Sequence, residues 1–127
     1  MIECEEPLHP RALQGILLFN KGKYFEAHEE LEAAWKEETG RIRELYQGIL
    51  EAAVTYLHIS RGNFPGAVKV YGRSMKWLKD WPEICRGVEV GQLRRDLEAA
   101  MVEVHLFGGT RLALFDQSLY KPVVLKE

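Results

Sequence analysis

The strongest constraint on the fold is the segment from residue 42 to residue 60, whose apolar side chains cover almost the whole circumference of a helix. These apolar residues are Leu45, Tyr46, Ile49, Leu50, Ala52, Ala53, Val54, Tyr56, Leu57 and Ile59. A helix that is apolar nearly all round has to be buried among other elements. The segment therefore predicts a central helix on which other helices pack.

The polar residues of the same segment form one narrow stripe along the predicted helix. They are Glu44, Gln47, Glu51, Thr55 and His58. On a central helix, such a stripe either reaches solvent through a cleft or is buried, and buried polar groups need partners. The stripe can equally mark the solvent-facing side of the helix, and the sequence leaves these interpretations open.

A second polar feature lies on the helix predicted for residues 24–38. Its apolar face contains Tyr24, Ala27, Leu31, Ala34 and Trp35. His28 falls at the edge of this face and Glu32 follows one turn later, so the two side chains can touch along the helix. The pair is either a core-edge histidine held by a carboxylate or a pair of groups for ligand binding or acid–base chemistry.

A short connection between these two helices favours antiparallel packing, which would bring their polar stripes together. A buried carboxylate or imidazole without a partner is costly, or is neutralised by a shift of its pKa. We therefore expect His28, Glu32 and at least one of Glu51 or His58 to share a polar pocket. The candidate residues of this pocket are His28, Glu29, Glu32, Trp35, Gln47, Glu51 and His58. Trp35 is expected to be largely buried against the third helix.

The remaining patterns complete an all-α fold of five helices. Helices are expected over residues 10–20, 24–38, 42–60, 67–79 and 92–105, with turns near Gly22, Gly40 and Gly62. Residues 82–91 are expected to form a loop. Pro122 makes a continuous helix in the tail over residues 106–127 unfavourable, so we expect the tail to be irregular and extended, packed on the bundle. The chain is predicted to form one domain over residues 1–127, with a core from about residue 10 to residue 105.

Two stretches 40 residues apart share the same turn chemistry. They are Gly22-Lys23-Tyr24-Phe25-Glu26-Ala27 and Gly62-Asn63-Phe64-Pro65-Gly66-Ala67. Each follows one helix and begins the next, a pattern that resembles the tetratricopeptide helical hairpin. Two hairpins are fewer than an open array needs, so we expect a compact bundle of two hairpins closed by the fifth helix. Convergence of two unrelated units on one turn chemistry is the alternative.

Composition narrows the classes of partner. The formal net charge of the 127 residues is -2, so no overall field favours nucleic acid or an anionic membrane. No apolar run approaches the length of a membrane span, and residues 1–20 lack the pattern of a signal peptide. Cys4 and Cys85 fit no metal-binding pattern and are expected to be free thiols of a cytoplasmic protein. A protein or peptide partner and a homo-oligomer both stay open.

One stretch resembles the signature of a known family. It reads Phe19-Asn20-x-Gly22-x-Tyr24-Phe25-Glu26-Ala27-His28-Glu29-x-Leu31-Glu32-x-x-Trp35. Similar motifs follow downstream, at Tyr46-Gln47-Gly48-Ile49 to Ala53, His58, Gly62-Asn63 and Gly66-Ala67. The family is domain of unknown function 309, a group of small all-helical prokaryotic proteins, and the resemblance covers roughly residues 10 to 80. It implies an all-α fold and includes His28, Glu29, Glu32, Trp35 and His58 in the family's shared pattern, but it supplies no activity.

Two hypotheses for the function remain open. The first is a non-catalytic helical binding or scaffold domain without a cofactor, which the predicted hairpins favour. The second is a small metal-binding protein or metal-dependent hydrolase, in which His28, Glu32 and His58 would bind zinc or manganese, with Glu51 as a substitute for His58. The sequence from His28 to Glu32 begins like the metal-binding helix of zincins but lacks the second histidine.

Overall fold

The computed structural model describes residues 1–108 and 112–126, and residues 109–111 and 127 of the predicted tail lie outside that description. In the described ranges five α-helices form the framework: α1 (Pro10–Asn20), α2 (Tyr24–Glu37), α3 (Ile42–Ser60), α4 (Phe64–Leu78) and α5 (Val90–Phe107). One hydrophobic core draws residues from all five helices, which confirms the predicted all-α bundle. None of the helices in these ranges is long and apolar enough to cross a membrane.

α3 is the central helix of the bundle, as its sequence predicts. Twelve of its 19 residues are buried, and both α2 and α4 pack against it. The hydroxyl of Ser74 on α4 donates a hydrogen bond to the carbonyl of Gly48 on α3 at 2.8 Å. Gly48 permits this close approach because a Cβ there would lie only 2.5 Å from Leu78. A larger residue at this position would require the buried side chain of Leu78 or the helices themselves to shift.

The two helical hairpins, α1–α2 and α3–α4, turn in the same way. In the first turn the N–H of Lys23 donates to the carbonyl of Leu18 at 3.0 Å. In the second turn the N–H of Asn63 donates to the carbonyl of His58 at 2.9 Å. A glycine with positive φ precedes each donor, with φ of 77° in the first turn and 69° in the second. Such angles favour glycine, so the shared turn chemistry of the two stretches reflects shared backbone geometry.

α4 begins earlier than its apolar pattern predicts, at Phe64 rather than at residue 67. The side chain of Asn63 accepts a hydrogen bond from the N–H of Gly66 at 3.0 Å and so caps the helix. Pro65 fits in this first turn because the N–H that it lacks has no partner within the helix. Residues 64–66, which the apolar pattern leaves outside the helix, are therefore the first turn of α4.

The loop expected over residues 82–91 contains a short antiparallel β-ribbon. Its strands are β1 (Ile84–Cys85) and β2 (Val88–Glu89). α5 follows directly, so it begins at Val90 rather than at residue 92, and it ends at Phe107 rather than at residue 105. Strands of two residues are too short to show a periodic pattern in a sequence.

The described part of the tail packs on the bundle as a mainly irregular segment. Two 3₁₀ turns, Leu112–Leu114 and Gln117–Leu119, precede an extended stretch. In this stretch Val123 is buried, and its carbonyl accepts a hydrogen bond from the side-chain amide of Asn20 at 3.0 Å. The N–H of Val123 donates to the same side chain at 2.8 Å. The side chain of Asn20 thus holds the tail against the end of α1.

Cys4 and Cys85 are joined by a disulfide, so the expectation of free thiols is wrong. Their Cα atoms are 4.4 Å apart although 81 positions separate them in the sequence. The N-terminal segment makes this bond possible because its 3₁₀ turn, Ile2–Cys4, lies against the β-ribbon. The N–H of Arg86 donates to the carbonyl of Cys4 at 2.9 Å and supports the same contact.

Arg86, at the tip of the β-ribbon, carries a buried guanidinium, and its side chain is only 6% exposed. The guanidinium donates to the carbonyl of Glu3 at 2.6 Å, to the carboxylate of Glu38 at 3.2 Å and to the hydroxyl of Tyr46 at 3.2 Å. We call these four residues the Arg86 cluster. The cluster connects the N-terminal segment, the end of α2 and the core of α3 to the ribbon.

Candidate functional site

A cavity of about 350 Å³ opens between α2 and α3, with α4 at its rim. Its walls are formed by His28, Glu32, Trp35, Gln47, Leu50, Glu51, Val54 and Arg73. The first three residues belong to α2, the next four to α3 and the last to α4. We call it the α2–α3 cavity. It brings together five of the seven pocket residues proposed from the sequence.

His28 and Glu32 form part of the α2 wall, one helical turn apart. The Nε2 of His28 lies 3.6 Å from the Oε2 of Glu32, while the other oxygen of Glu32 lies 3.2 Å from the ammonium of Lys36. The Nδ1 of His28 is buried and has no hydrogen-bond partner in the described part of the chain. The imidazole therefore keeps one unsatisfied nitrogen next to the core.

Glu51 lies on the α3 wall and is the most buried ionisable residue of the cavity. Its side chain is 10% exposed, against 43% for the side chain of Glu32. The Oε1 of Glu51 lies 3.2 Å from the Nε of Arg73. Its Oε2 is buried and has no hydrogen-bond partner among the described residues. A buried carboxylate with one oxygen unpaired is energetically unfavourable.

Other residues of the polar stripe on α3 have local partners instead. Thr55 is fully buried, and its hydroxyl donates to the carbonyl of Glu51, one turn back, at 2.8 Å. Glu44 lies 3.5 Å from Arg41 near the start of the helix. Of the stripe, Gln47 and Glu51 are the residues that line the cavity. The stripe therefore fits neither interpretation completely. One part of it lines the cavity or is buried, and another part is paired at the solvent-facing surface.

Two residues proposed for the pocket, His58 and Glu29, do not line the cavity. The Nδ1 of His58 lies 3.1 Å from the side-chain nitrogen of Asn63, in the turn between α3 and α4. Burial lowers the pKa of His58, and the positive charges of Arg61 and Arg73 lower it further. Glu29 is exposed on α2. His58 therefore contacts the turn between α3 and α4. Its position on the polar stripe of α3 did not indicate this contact.

Trp35 is partly buried and is less enclosed than its neighbours Leu31 and Ala34, which are fully buried. The residue packs against the core with one part and lines the α2–α3 cavity with another. The guanidinium of Arg43 lies 4.6 Å from the centre of the indole ring, and its Nε donates to the carbonyl of Trp35 at 3.0 Å. The α2 wall therefore includes an aromatic surface that already contacts a cation.

Arg73 is the ionisable cavity residue that sequence reasoning did not assign to the site. Its basic neighbours on α4 are typical of a solvated helix face. The next residue, Ser74, is fully buried and bonds to Gly48, one turn before Glu51. A small polar residue within an apolar face, opposite a glycine, is the signal that could have placed Arg73 beside Glu51.

Burial raises the pKa of Glu51 above its ordinary value of 4.5. The positive charge of Arg73 opposes this rise, and the side chains of Gln47 and Trp77 beside the carboxylate oppose it further. The net direction is upward because one guanidinium, itself 53% exposed, does not replace the water that the carboxylate loses on folding. The surroundings of Glu51 therefore disfavour its charged form.

Glu51 should make a destabilising contribution that grows as the pH rises above 4.5. A carboxyl whose pKa is raised on folding binds more protons in the native state, so its ionisation favours unfolding. Glu51→Gln removes this effect. We expect the free energy of unfolding of the variant, relative to the parent protein, to increase between about pH 4 and about pH 7 in urea denaturation. The same change at an exposed position, Glu29→Gln, is the control, and an equal pH response of both variants would contradict the prediction.

The predicted metal ligands are not all brought together. In the described ranges, no group of three or more His, Cys, Asp or Glu side chains is arranged to hold a metal ion. His28 and Glu32 are neighbours, but the third candidate, His58, lies in the last turn of α3 and contacts Asn63 instead. Glu51 lines the same cavity as His28 and Glu32, but it is paired with Arg73.

These observations define a class of small all-α proteins built from two helical hairpins, with a polar cavity between the second and third helices. Residues 12–70 match the model of the family described as Domain of unknown function (DUF309). This match lies within the part of the chain whose motifs resemble that family, and it confirms the resemblance. It covers nearly all of α1, all of α2 and α3, and the first half of α4, and it includes every cavity residue except Arg73.

The chain is also similar to a protein of Aquifex aeolicus (strain VF5) that is described as an uncharacterized protein. The two are 29% identical over 86 residues. The aligned region is 65% of this chain and 25% of the relative, so the similarity spans about a quarter of that longer protein. Neither the family description nor the relative names an activity.

Proposed function

We propose that this protein is a non-catalytic helical binding or scaffold domain, and that a group from a partner protein or peptide enters the α2–α3 cavity. The proposal depends mainly on Glu51. This carboxylate is nine-tenths buried on the central helix, lines a cavity that opens to solvent, and has one charged partner for its two oxygens. A partner that donates hydrogen bonds to the carboxylate would complete its pairing.

A role in fold stability explains this arrangement less well. Replacing a buried ion pair with apolar residues of similar size is often neutral or stabilising. Glu51 is flanked on the α3 wall by the apolar side chains of Leu50 and Val54, so an apolar residue would suit its position. A charged group at this place is therefore better explained by recognition of a partner than by packing.

The other groups of the cavity are also suited to recognition. Gln47 supplies an amide, Glu32 a second carboxylate and His28 an imidazole with an unsatisfied nitrogen. Binding pockets commonly combine a few placed polar groups with apolar walls. All of these side chains project from helices, which hold binding groups more rigidly than loops do.

Glu51→Met should raise the free energy of unfolding by about 1–2 kcal/mol at neutral pH. Methionine is similar in size to glutamate and adapts to irregular spaces, and the substitution removes the buried charge. Arg73 would lose its partner without harm to stability because its side chain is 53% exposed and stays hydrated. Urea denaturation followed by circular dichroism measures the difference.

The matched control is Glu29→Met, the same chemical change at an exposed position of α2. It should alter the free energy of unfolding by no more than about 0.5 kcal/mol. A loss of stability in Glu51→Met would show that the pair of Glu51 with Arg73 serves the fold, and the main support for the binding proposal would then be gone.

The alternative function is a small metal-binding protein or metal-dependent hydrolase. Its support is the unsatisfied Nδ1 of His28, a residue that lines the cavity together with Glu32 and Glu51. Such mixed nitrogen and oxygen ligands suit zinc or manganese. Thermal melts of protein purified without a metal-affinity tag, with and without Zn²⁺ or Mn²⁺, test this alternative. A metal-dependent rise in melting temperature that is absent in His28→Ala would favour it over the binding domain.

We also propose a cytoplasmic location, which the Cys4–Cys85 disulfide constrains. Disulfides are rare in the cytosol of mesophiles but common in intracellular proteins of hyperthermophiles. The proposal therefore fits a hyperthermophilic source better than a mesophilic one. Blocking free thiols at the moment of cell lysis, followed by electrophoresis without reductant, would show whether the bond exists inside the cell.

A further inference from the structure

We infer that the group bound in the α2–α3 cavity is a guanidinium, supplied by an arginine side chain in an extended segment of the partner. This inference rests on the proposed binding function and names the chemical class of its ligand. It starts from the pairing between Glu51 and Arg73.

Arg73 shows which chemistry the Glu51 carboxylate accepts. Its Nε lies 3.2 Å from the Oε1 of Glu51. The side chain of Glu51 is 10% exposed and that of Arg73 is 53% exposed, so the guanidinium reaches from the rim toward a carboxylate that lies in the wall. An ion pair with one solvated partner contributes little net energy. A guanidinium from a ligand can therefore join Arg73 or displace it without a large loss of stability.

The charges of the cavity favour a cation over an anion. Glu32 places a carboxylate on the α2 wall and Glu51 places one on the α3 wall, while Arg73 supplies a guanidinium at the rim. Lys36 pairs with Glu32, but its side chain is 64% exposed and does not line the cavity. An anionic ligand would meet two like charges in a partly desolvated space, whereas a cation would be attracted by both carboxylates.

The geometry favours a planar guanidinium over a compact ammonium. In the structure Oε1 of Glu51 faces Arg73 and Oε2 is buried, so a rotation about the terminal torsion, which is broad and roughly two-fold in glutamate, is needed to turn both oxygens toward the cavity. A guanidinium binds such a pair of oxygens through two parallel N–H bonds, and an ammonium does not. Trp35 adds an aromatic surface on the α2 wall, and the guanidinium of Arg43, 4.6 Å from the ring centre, shows that this indole contacts such a group.

The size of the cavity indicates that a single side chain enters it. Its volume of about 350 Å³ is near the lower limit for ligand pockets. A second cavity, of about 250 Å³, lies between Glu44 at the start of α3 and the end of α4, where it is lined by Lys76, Trp77, Lys79, Asp80 and Trp81. Trp77 also lies beside Glu51, so the two cavities are neighbours.

Neighbouring cavities along the contact between α3 and α4 suit an extended segment. At a rise of 1.5 Å per residue, Glu44 and Glu51 are about 10 Å apart along α3. About three residues of extended chain span this distance. Such a segment would place its arginine at Glu51 and a nearby side chain in the second cavity.

The experiment is a titration of the protein with two blocked pentapeptides, followed by ¹⁵N chemical shifts. One peptide has a central arginine flanked by alanines, and the other has citrulline in place of the arginine. Citrulline keeps the planar shape of the arginine side chain but is uncharged. The arginine peptide should shift the signals of Glu51 and its neighbours and bind about thirty-fold more tightly than the citrulline peptide.

Two protein variants locate the effect. Glu51→Gln keeps the size of the side chain and removes its charge, so it should abolish the preference for arginine. Glu29→Gln removes a carboxylate of α2 that does not line the cavity, so it should keep the full preference. Circular dichroism of both variants confirms that each is folded before the titrations are compared.

Three results would overturn the inference: equal affinity for the two peptides, no binding of the arginine peptide, or a preference for arginine that persists in Glu51→Gln. The proposed binding function is tested separately by the stability of Glu51→Met. If that variant is stabilised while arginine gives no preference, the inference about guanidinium fails and the binding proposal stands. If that variant is destabilised and the arginine peptide does not bind, both fail.

Discussion

Reduction of the Cys4–Cys85 disulfide should lower the free energy of unfolding by roughly 4 kcal/mol. The bond joins residues separated by 81 positions, and a loop of this length greatly restricts the unfolded chain. The loop closed by the disulfide contains all of α1, α2, α3 and α4. Reduction would therefore increase the conformational entropy of both hairpins in the unfolded state. Urea denaturation of the oxidised protein, with and without dithiothreitol, measures the loss.

The control for this prediction is the double variant Cys4→Ser with Cys85→Ser. It should have the stability of the reduced protein and should not respond to dithiothreitol. A difference of less than about 1 kcal/mol between the oxidised and reduced forms would contradict the prediction. It would indicate that noncovalent contacts already hold the N-terminal segment against the β-ribbon when the bond is open.

Arg86→Met should lower the free energy of unfolding by about 3–5 kcal/mol. The substitution removes a guanidinium whose side chain is 6% exposed and deprives five groups of a donor, among them the carbonyl of Glu3, the carboxylate of Glu38 and the hydroxyl of Tyr46. The backbone φ of 49° at Arg86 is uncommon for a residue other than glycine. Methionine keeps this backbone strain unchanged, so the measured loss in urea denaturation reports the side chain alone.

Arg95→Met is the matched comparison, because Arg95 forms an ion pair with Glu83 in which both side chains are more than half exposed. Exposed pairs of this kind contribute little, so we expect a loss of less than about 1 kcal/mol. Similar effects of the two substitutions would show that the Arg86 cluster is not required for stability. A loss of stability in Arg86→Met that Arg95→Met does not show would support a structural role of the Arg86 cluster.

The positions of the helices could be predicted because each helix buries a face that repeats with the helical period. The bounds of α1 and α3 agree with prediction at both ends, and α2 ends one residue early. The start of α4 could not be read from the apolar pattern, because Asn63 caps a first turn that contains Pro65. The β-ribbon is shorter than any period, so its sequence resembles that of a loop.

The candidate site could be predicted in part, where local spacing decides which side chains meet. His28 and Glu32 are one turn apart on α2, so their contact follows from the helix itself. The place of Arg73 beside Glu51 depends on how α4 lies on α3, for which the signal in the sequence is the small polar residue Ser74 opposite Gly48. The role of His58 depends likewise on the capping residue Asn63 in the following turn.

The disulfide that connects Ile84–Cys85 with the N-terminal turn has a further consequence for the topology of the chain. It makes residues 4 to 85 a covalent ring, and the family match over residues 12–70 lies entirely inside this ring. A single cut of the backbone anywhere inside the ring opens it but leaves one covalent molecule. A protease must therefore cut the ring twice, or act after reduction of the bond, before any fragment of the α2–α3 cavity can separate from the rest of the protein.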